Sequence, residues 1–388
     1  MYKIATLNKI SPVGLGRLTD QYTITEDIAS ANGILVRSQD MLTMEFSEAL
    51  LGIARAGAGV NNIPIERCAE EGIVVFNTPG ANANAVKELV LTGLFLGARN
   101  LSDALGWTCT LAGTEEVGKA VEKGKGQFAG TEIQGKTLGV IGLGAIGVLV
   151  ANAAQSLGME VIGYDPYITI QAAHSLSNEI SVVTDLGDLL PECDYISIHV
   201  PAMDATKGMI NADSIAKMKS GVIFLNFSRD KLVNDADMLA ALESGKVRKY
   251  VTDFPNDKLI GQKGMVCIPH LGASTEEAED NCAVMAADEL MDYIENGNIK
   301  NSVNFPACSL GKVTGTRICI LNKHDSSVLS MITRTMSVMD LNVVNMVTTS
   351  KGDFSCTLLD VEGAADESAI VEKLSTEGII KVRVITKA

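Results

Sequence analysis

Aromatic residues are scarce in this chain, 4% of 388 positions with a single tryptophan, so its cores must be built from aliphatic side chains and alanine. Basic residues are short as well: 32 Lys and Arg stand against 47 Asp and Glu, a formal net charge of -15. That balance excludes a general binder of nucleic acid or of an anionic membrane surface. Any anionic ligand must instead be met by a local group of arginines or lysines. None of the 8 cysteines forms a C-x-x-C pair, which leaves zinc and disulfide frameworks without support, and no metal site is expected. Buried thiols in a reducing compartment fit better. No apolar run reaches the ~20 residues of a membrane span, and the opening "MYKIATLNKI" lacks the layout of a signal peptide. A cytoplasmic protein is expected.

What the chain does have is glycine, 36 residues, and 46% hydrophobic content. These are arranged as short apolar runs alternating with amphipathic stretches, the habit of parallel sheets with crossover helices. At ~150 residues per domain the length implies two or three domains. Strands are predicted at Ile4 to Leu7, Gly33 to Arg37, Gly52 to Arg55 and Val74 to Asn77. A second set runs Thr137 to Gly142, Glu160 to Asp165, Ser181 to Thr184, Tyr195 to Val200, Val222 to Asn226, Tyr250 to Asp253 and Val266 to Ile268. Long helical patterns at Ala85 to Arg99 and Thr275 to Gly297 suit crossings between two α/β lobes. After a turn-rich linker the rhythm changes to β-α-β-β-α-β, with helices at Ser326 to Met339 and Ala364 to Leu374, the ferredoxin-like plan.

The strand from Thr137 runs into Gly142-Leu143-Gly144-Ala145-Ile146-Gly147 and then into an apolar helix pattern, so G-x-G-x-x-G stands in the context that makes it informative. One glycine makes the tight turn, one admits a pyrophosphate, and one lets the helix pack on its strand. The next strand leads to Asp165, 23 residues beyond Gly142. An acid there accepts from the adenosine ribose and repels a 2′-phosphate, so NAD is expected rather than NADP.

Ligands of open parallel sheets bind outside the carboxyl ends of the strands. The polar residues at those ends are Arg37, Arg55, Asn77, Asp165, His199, Asn226 with Arg229 beyond it, Asp253 and His270. Oxidation of a 2-hydroxy acid needs a group to take the hydroxyl proton and a cation to hold the carboxylate. His270, in "VCIPHLGAS", and Arg229 suit those tasks, since an imidazole titrates near pH ~6.5 and a guanidinium binds a carboxylate through two bonds. His174 stands in a polar stretch and is expected to be solvated; His199 more plainly supports a pocket than moves a proton.

The segments "ARAGAGVNNIPIERCAEEGIVVFNTPGANANAVKEL", "GKTLGVIGLGAIG", "DYISIHVPAMDATKGMI", "FLNFSRDKLVNDADMLAAL", "PHLGASTEEAEDN" and "NSVNFP" resemble, in order, the D-isomer-specific 2-hydroxyacid dehydrogenases, especially the short form with a C-terminal ACT domain. The resemblance implies a Rossmann-type nucleotide lobe inserted in a flavodoxin-like substrate lobe. The expected boundaries are 1–97 for the first substrate segment, 98–283 for the NAD lobe, 284–310 for the return and linker, and 311–388 for the ACT-like domain. It implies Arg229 as carboxylate ligand and His270 as acid/base. Gly142, Gly144, Ala145, Ile146, Gly147, Asp165, His199, Pro201, Asn226, Phe227, Ser228, Asp253 and Gly272 would line the NAD. Arg37, Arg55, Ala58, Gly59 and Asn82 would complete the substrate site, the two arginines meeting a phosphate.

The chain departs from the family where a glutamate pairs with the histidine. Here the stretch reads Thr252-Asp253-Phe254-Pro255-Asn256-Asp257, which puts Asp257 in that place, with Glu276 and Glu277 as rivals. Asp230 also replaces a glycine beside Arg229. In the tail, Asn322, His324 and Asn342 stand near positions where ACT domains hold an amino-acid effector, which points to L-serine, although Ser326-Ser327 replaces the usual Pro-Gly. A domain that only dimerises the chain is the plainer alternative. The implied reaction is NAD-dependent oxidation of the phosphorylated 2-hydroxy acid 3-phospho-D-glycerate, in a homodimer or homotetramer. The alternatives are a reductase for hydroxypyruvate, glyoxylate or another small 2-oxo acid, and an NADH-sensing binding protein without turnover.

Overall fold

A computed structural model describes residues 1–363 and 366–387, apart from the side chain of Ser326. The chain divides into two units. The first joins Met1–Ala81 to Glu276–Ala388, and the second, Asn82–Thr275, is inserted between those segments.

Strands β1 (Tyr2–Leu7), β2 (Tyr22–Thr25), β3 (Gly33–Val36), β4 (Gly52–Arg55) and β5 (Val74–Asn77) form a 5-stranded sheet of order β2-β1-β3-β4-β5. Every pairing is parallel. This is the flavodoxin-like order. All of β3 is buried, because a parallel strand covered on both faces reads as a continuous apolar run. β2 escapes sequence reading because it is a short edge strand with one buried residue in four.

In the second unit, β6 (Thr137–Ile141), β7 (Glu160–Tyr164), β8 (Ser181–Val183), β9 (Tyr195–Ile198), β10 (Val222–Asn226), β11 (Val247–Thr252) and β12 (Met265–Cys267) form a 7-stranded sheet. Its order, β12-β11-β10-β9-β6-β7-β8, reverses direction between β6 and β9. That reversal is the switch point of a doubly wound fold, where ligands bind.

The division between the units does not fall at 97 and 283, as expected, but at 81 and 275. The reason lies in packing. The helix Ala83–Arg99 presents Val86, Val90, Leu94 and Ala98 to the core that holds Ile223, Leu225 and Val251. A Cβ on Gly93 would meet Phe227 at 2.7 Å, and one on Gly97 would meet Ile223 at 2.8 Å. That whole helix therefore belongs to the inserted unit. The helix Glu276–Asn296 packs Cys282, Ala283, Ala286 and Leu290 with Ile4, Leu35 and Ala54 of the first sheet, so it belongs wholly to the first.

The tail has the expected β-α-β-β-α-β order. β13 (Thr316–Lys323), β14 (Asn342–Lys351), β15 (Phe354–Glu362) and β16 (Ile379–Thr386) pair antiparallel as β14-β15-β13-β16, with helices Ser326–Val338 and Glu367–Leu374. The expected helix from Ala364 begins on residues that lie outside the described ones. This sheet does not form a unit apart at 311, because Cys319, Leu321, Cys356, Leu358 and Ile385 share a core with Leu290, Tyr293, Ile294 and Phe305.

Candidate active site

The glycine turn follows β6 directly. Gly142 has φ +93, and a Cβ there would lie 2.9 Å from the His199 carbonyl, so both the backbone conformation and the neighbouring strand require glycine. A Cβ on Gly147 would lie 1.9 Å from the Gly142 carbonyl oxygen, so the turn closes onto its helix. A Cβ on Gly144 would meet nothing within 4 Å. That openness is where a pyrophosphate can approach the N-terminus of the helix Ala145–Ser156. Asp165, the residue after β7, accepts hydrogen bonds from Leu143 N (2.8 Å) and Tyr167 N (2.9 Å), which ties the acid to the turn. Ala145 is exposed and Ile146 half-buried on the same turn. The residues fit a dinucleotide.

Across the switch point, His199 N donates to Ile141 O at 2.7 Å. Its Nε2 meets Ser197 Oγ at 2.8 Å, while Nδ1 is buried without a partner. Burial pushes its pKa down to about 4, so the ring is neutral at physiological pH. Ser197 went unnoticed in the sequence, although strand alternation puts it on the face of His199. Pro201, two residues on, is exposed.

At the end of β10 the buried Asn226 organises the next turn. Its Nδ2 donates to Arg229 O (2.9 Å) and to Tyr250 Oη (3.2 Å), and its Oδ1 accepts from Ser228 N (3.1 Å). Thr252 Oγ1 donates to Asn226 O at 2.8 Å, and Ser228 Oγ to Val200 O at 2.8 Å. Phe227 faces the core. The Arg229 side chain is thus held from a fixed backbone yet reaches solvent, donating to Ser228 O at 2.6 Å. Asp230 is exposed and opens a short 3-10 turn.

The segment that follows β11 carries two acids, Asp253 and Asp257. Asp253, after β11, is 1% exposed, and its Oδ1 has no partner. Burial pushes its pKa up, while His270, the Gly272 N–H and Arg229 push it back down. The Phe254 ring stands perpendicular to the His270 imidazole, 4.7 Å between centroids. Asp257 is exposed, and no hydrogen bond or ion pair joins it to His270 among the described residues. Of these two carboxylates the fold encloses Asp253 and leaves Asp257 in solvent.

In the first unit, Arg37 and Arg55 follow and end the neighbouring strands β3 and β4, where Val36 pairs with Arg55. Arg55 Nε donates to Arg37 O at 3.1 Å, and its guanidinium covers Gly57 so closely that a Cβ there would lie 1.7 Å away. Arg37 is paired with Glu279 at 2.7 Å, a partner the sequence gave no hint of. Ala58 and Gly59 are half-buried in the loop beyond, Ala58 O accepting from Asn77 Nδ2 at 2.7 Å. Asn82 precedes the helix Ala83–Arg99 and belongs to the second unit.

The expected effector residues are not brought together within the tail. Asn322 pairs with Ser355 across β13 and β15, and His324 Nδ1 meets Ser355 Oγ at 3.2 Å. Asn342 pairs with Glu362, at the opposite end of the sheet.

A phosphate-receiving turn at the switch point, with arginine, carboxylate and histidine on neighbouring strand ends, is the layout of a nucleotide-dependent dehydrogenase. Residues 107–272 match the family model for the NAD binding domain of D-isomer specific 2-hydroxyacid dehydrogenases. A D-3-phosphoglycerate dehydrogenase of Haemophilus influenzae is 33% identical over 379 residues, 93% of this chain and 88% of the relative. One of Methanocaldococcus jannaschii is 35% identical over 322 residues, 80% of this chain but 59% of the relative. The chain spans about half the length of other curated relatives it matches. The crystal structure of an NAD+-bound 3-phosphoglycerate dehydrogenase of Entamoeba histolytica superposes with TM-score 0.62 at 27% identity, covering 78% of this chain and 98% of that one. The chain belongs to the D-isomer specific 2-hydroxyacid dehydrogenase family, and its inserted unit carries that family's NAD-binding domain.

Proposed function

We propose that the protein oxidises 3-phospho-D-glycerate to 3-phosphohydroxypyruvate with NAD. The observation that carries the reading is the grouping of Arg229, Asp253 and His270 at strand ends of the NAD-binding unit, and the long alignment with the Haemophilus influenzae relative supports the substrate. NAD, when bound, accepts the hydride. His270 takes the hydroxyl proton on an imidazole nitrogen and returns it in the reverse direction. Arg229 holds the substrate carboxylate through its planar guanidinium, from a backbone that Asn226 fixes. The phosphate is assigned to Arg37 and Arg55. Assembly into a homodimer or homotetramer and control by L-serine through an ACT-type tail belong to the same reading.

The ion pair Arg37–Glu279 favours a second reading. An arginine already neutralised suits a substrate without phosphate, such as hydroxypyruvate or glyoxylate. NADH fluorescence during reduction of 3-phosphohydroxypyruvate and of hydroxypyruvate separates the two. We expect the phosphorylated substrate to win by orders of magnitude in kcat/KM, and His270→Ala to remove turnover with both. Equal or better use of hydroxypyruvate ends the phosphate assignment.

A further inference from the structure

We propose that Asp253 is the positioning residue for His270, in place of Asp257, which the family's sequence pattern would assign. The inference deepens the reading above and rests on it for the acid/base role of His270.

Three features of the second unit support it. The first is burial: His270 and Asp257 are both exposed, so water screens any interaction between them, whereas Asp253, at 1% exposure, acts on the ring from the low-dielectric side. The second is the surrounding chain. Phe254, next to Asp253, packs perpendicular to the His270 ring at 4.7 Å, and Gly272, two residues beyond His270, comes close enough that a Cβ on it would lie 3.6 Å from Asp253 Oδ2. The acid's neighbour thus touches the base, and a residue next but one to the base lies against the acid, which holds both groups on one small surface. The third is the orphaned oxygen: Oδ2 faces Gly272, and Oδ1 is buried with no protein donor. A buried carboxylate oxygen without a donor is costly and calls for a cation or an N–H. The cations that bear on Asp253 are His270 and Arg229. When His270 takes the substrate proton, it becomes the N–H donor that this oxygen lacks, and the imidazolium, with Arg229 in a smaller part, opposes the upward push of burial on the acid. Asp253 thereby serves an imidazolium that forms during the reaction, as an orienting acid behind a catalytic histidine does.

The test follows the His270 imidazole by NMR against pH in the resting protein, beside NADH affinity by fluorescence and turnover. In Asp253→Asn the imidazole should bind its proton more weakly than in the wild type, moving its titration to lower pH. Turnover should fall by about 10²-fold or more, while the NADH Kd stays within about threefold, since the isosteric amide leaves the cofactor turn untouched. Asp257→Asn should leave the His270 titration where it is. A shift in Asp257→Asn overturns the proposal, and that arm is informative even if Asp253→Asn fails to fold. Loss of NADH affinity in Asp253→Asn with an unmoved imidazole also overturns it, and makes Asp253 a cofactor contact only. The NMR arm needs no substrate. A wild type that turns over no 2-oxo acid would therefore sink the functional reading and leave the pairing to be judged alone.

Discussion

His199 shows at the residue scale how burial selects a protonation state. With its pKa lowered from 6.5 to about 4 by desolvation, the folded protein refuses a proton that the unfolded chain accepts between those values. Its contribution to stability is present in full above pH 6.5 and is lost as pH falls through about 4. We expect thermal melts of the wild type to lose more Tm between pH 7 and pH 4.5 than melts of His199→Gln. Parallel curves would mean that the imidazole is hydrated. The same physics explains which site residues were legible. His270, Arg229 and Asp165 announce themselves because their motifs are contiguous. The acid that serves His270 is less legible, because the register is ambiguous by one residue there and only the fold shows that Asp253 is enclosed while Asp257 is exposed.

At the scale of the element, the turn between β6 and its helix separates two requirements that the motif presents as one. Gly147 is held by sterics, with 1.9 Å between its would-be Cβ and Gly142 O, whereas the space above Gly144 is open. Gly147→Ala should therefore cost stability, about 1–3 kcal/mol as overpacking does, and lower NADH affinity as a consequence. Gly144→Ala should leave the urea midpoint unchanged and weaken NADH alone. A Gly144→Ala protein that binds NADH like the wild type would show that the cofactor does not approach the turn there. Two helices of this unit, Leu101–Thr110 and Val117–Gly124, bury no residue. Neither contributes a side chain to a core, and neither is among the elements expected from the sequence.

At the scale of the whole molecule, the tail is tied to the first sheet through the C-terminal end of the helix Glu276–Asn296. That end leaves carbonyls without helical partners. Arg383 donates to Tyr293 O (3.3 Å) and Ile294 O (2.7 Å), and the fully buried Arg317 donates to Asn296 O (2.9 Å) and Gly311 O (2.8 Å). Arg317 also grips Asp360 through two bonds, 2.6 and 3.0 Å. Removing one partner of a buried pair strands the other. Arg317→Ala should cost about 3–5 kcal/mol and expose the segment 298–315 to limited proteolysis, with NADH binding by the inserted unit retained. Resistance equal to that of the wild type would show that apolar packing alone holds the tail.

Most of the elements and the cofactor turn are legible in the bare chain: apolar runs set all but one of the parallel strands, the glycine spacing and Asp165 marked the NAD turn, and the final β-α-β-β-α-β order was readable from period and turn residues. These are local properties, carried by residues a few positions apart. Only the tertiary structure decided where the units divide, that Arg37 meets Glu279, that Asp253 is buried beside His270, and that the tail shares a core with the first sheet. Each of those depends on burial and on charges brought together from distant segments, and desolvation acts only once the chain has closed around them.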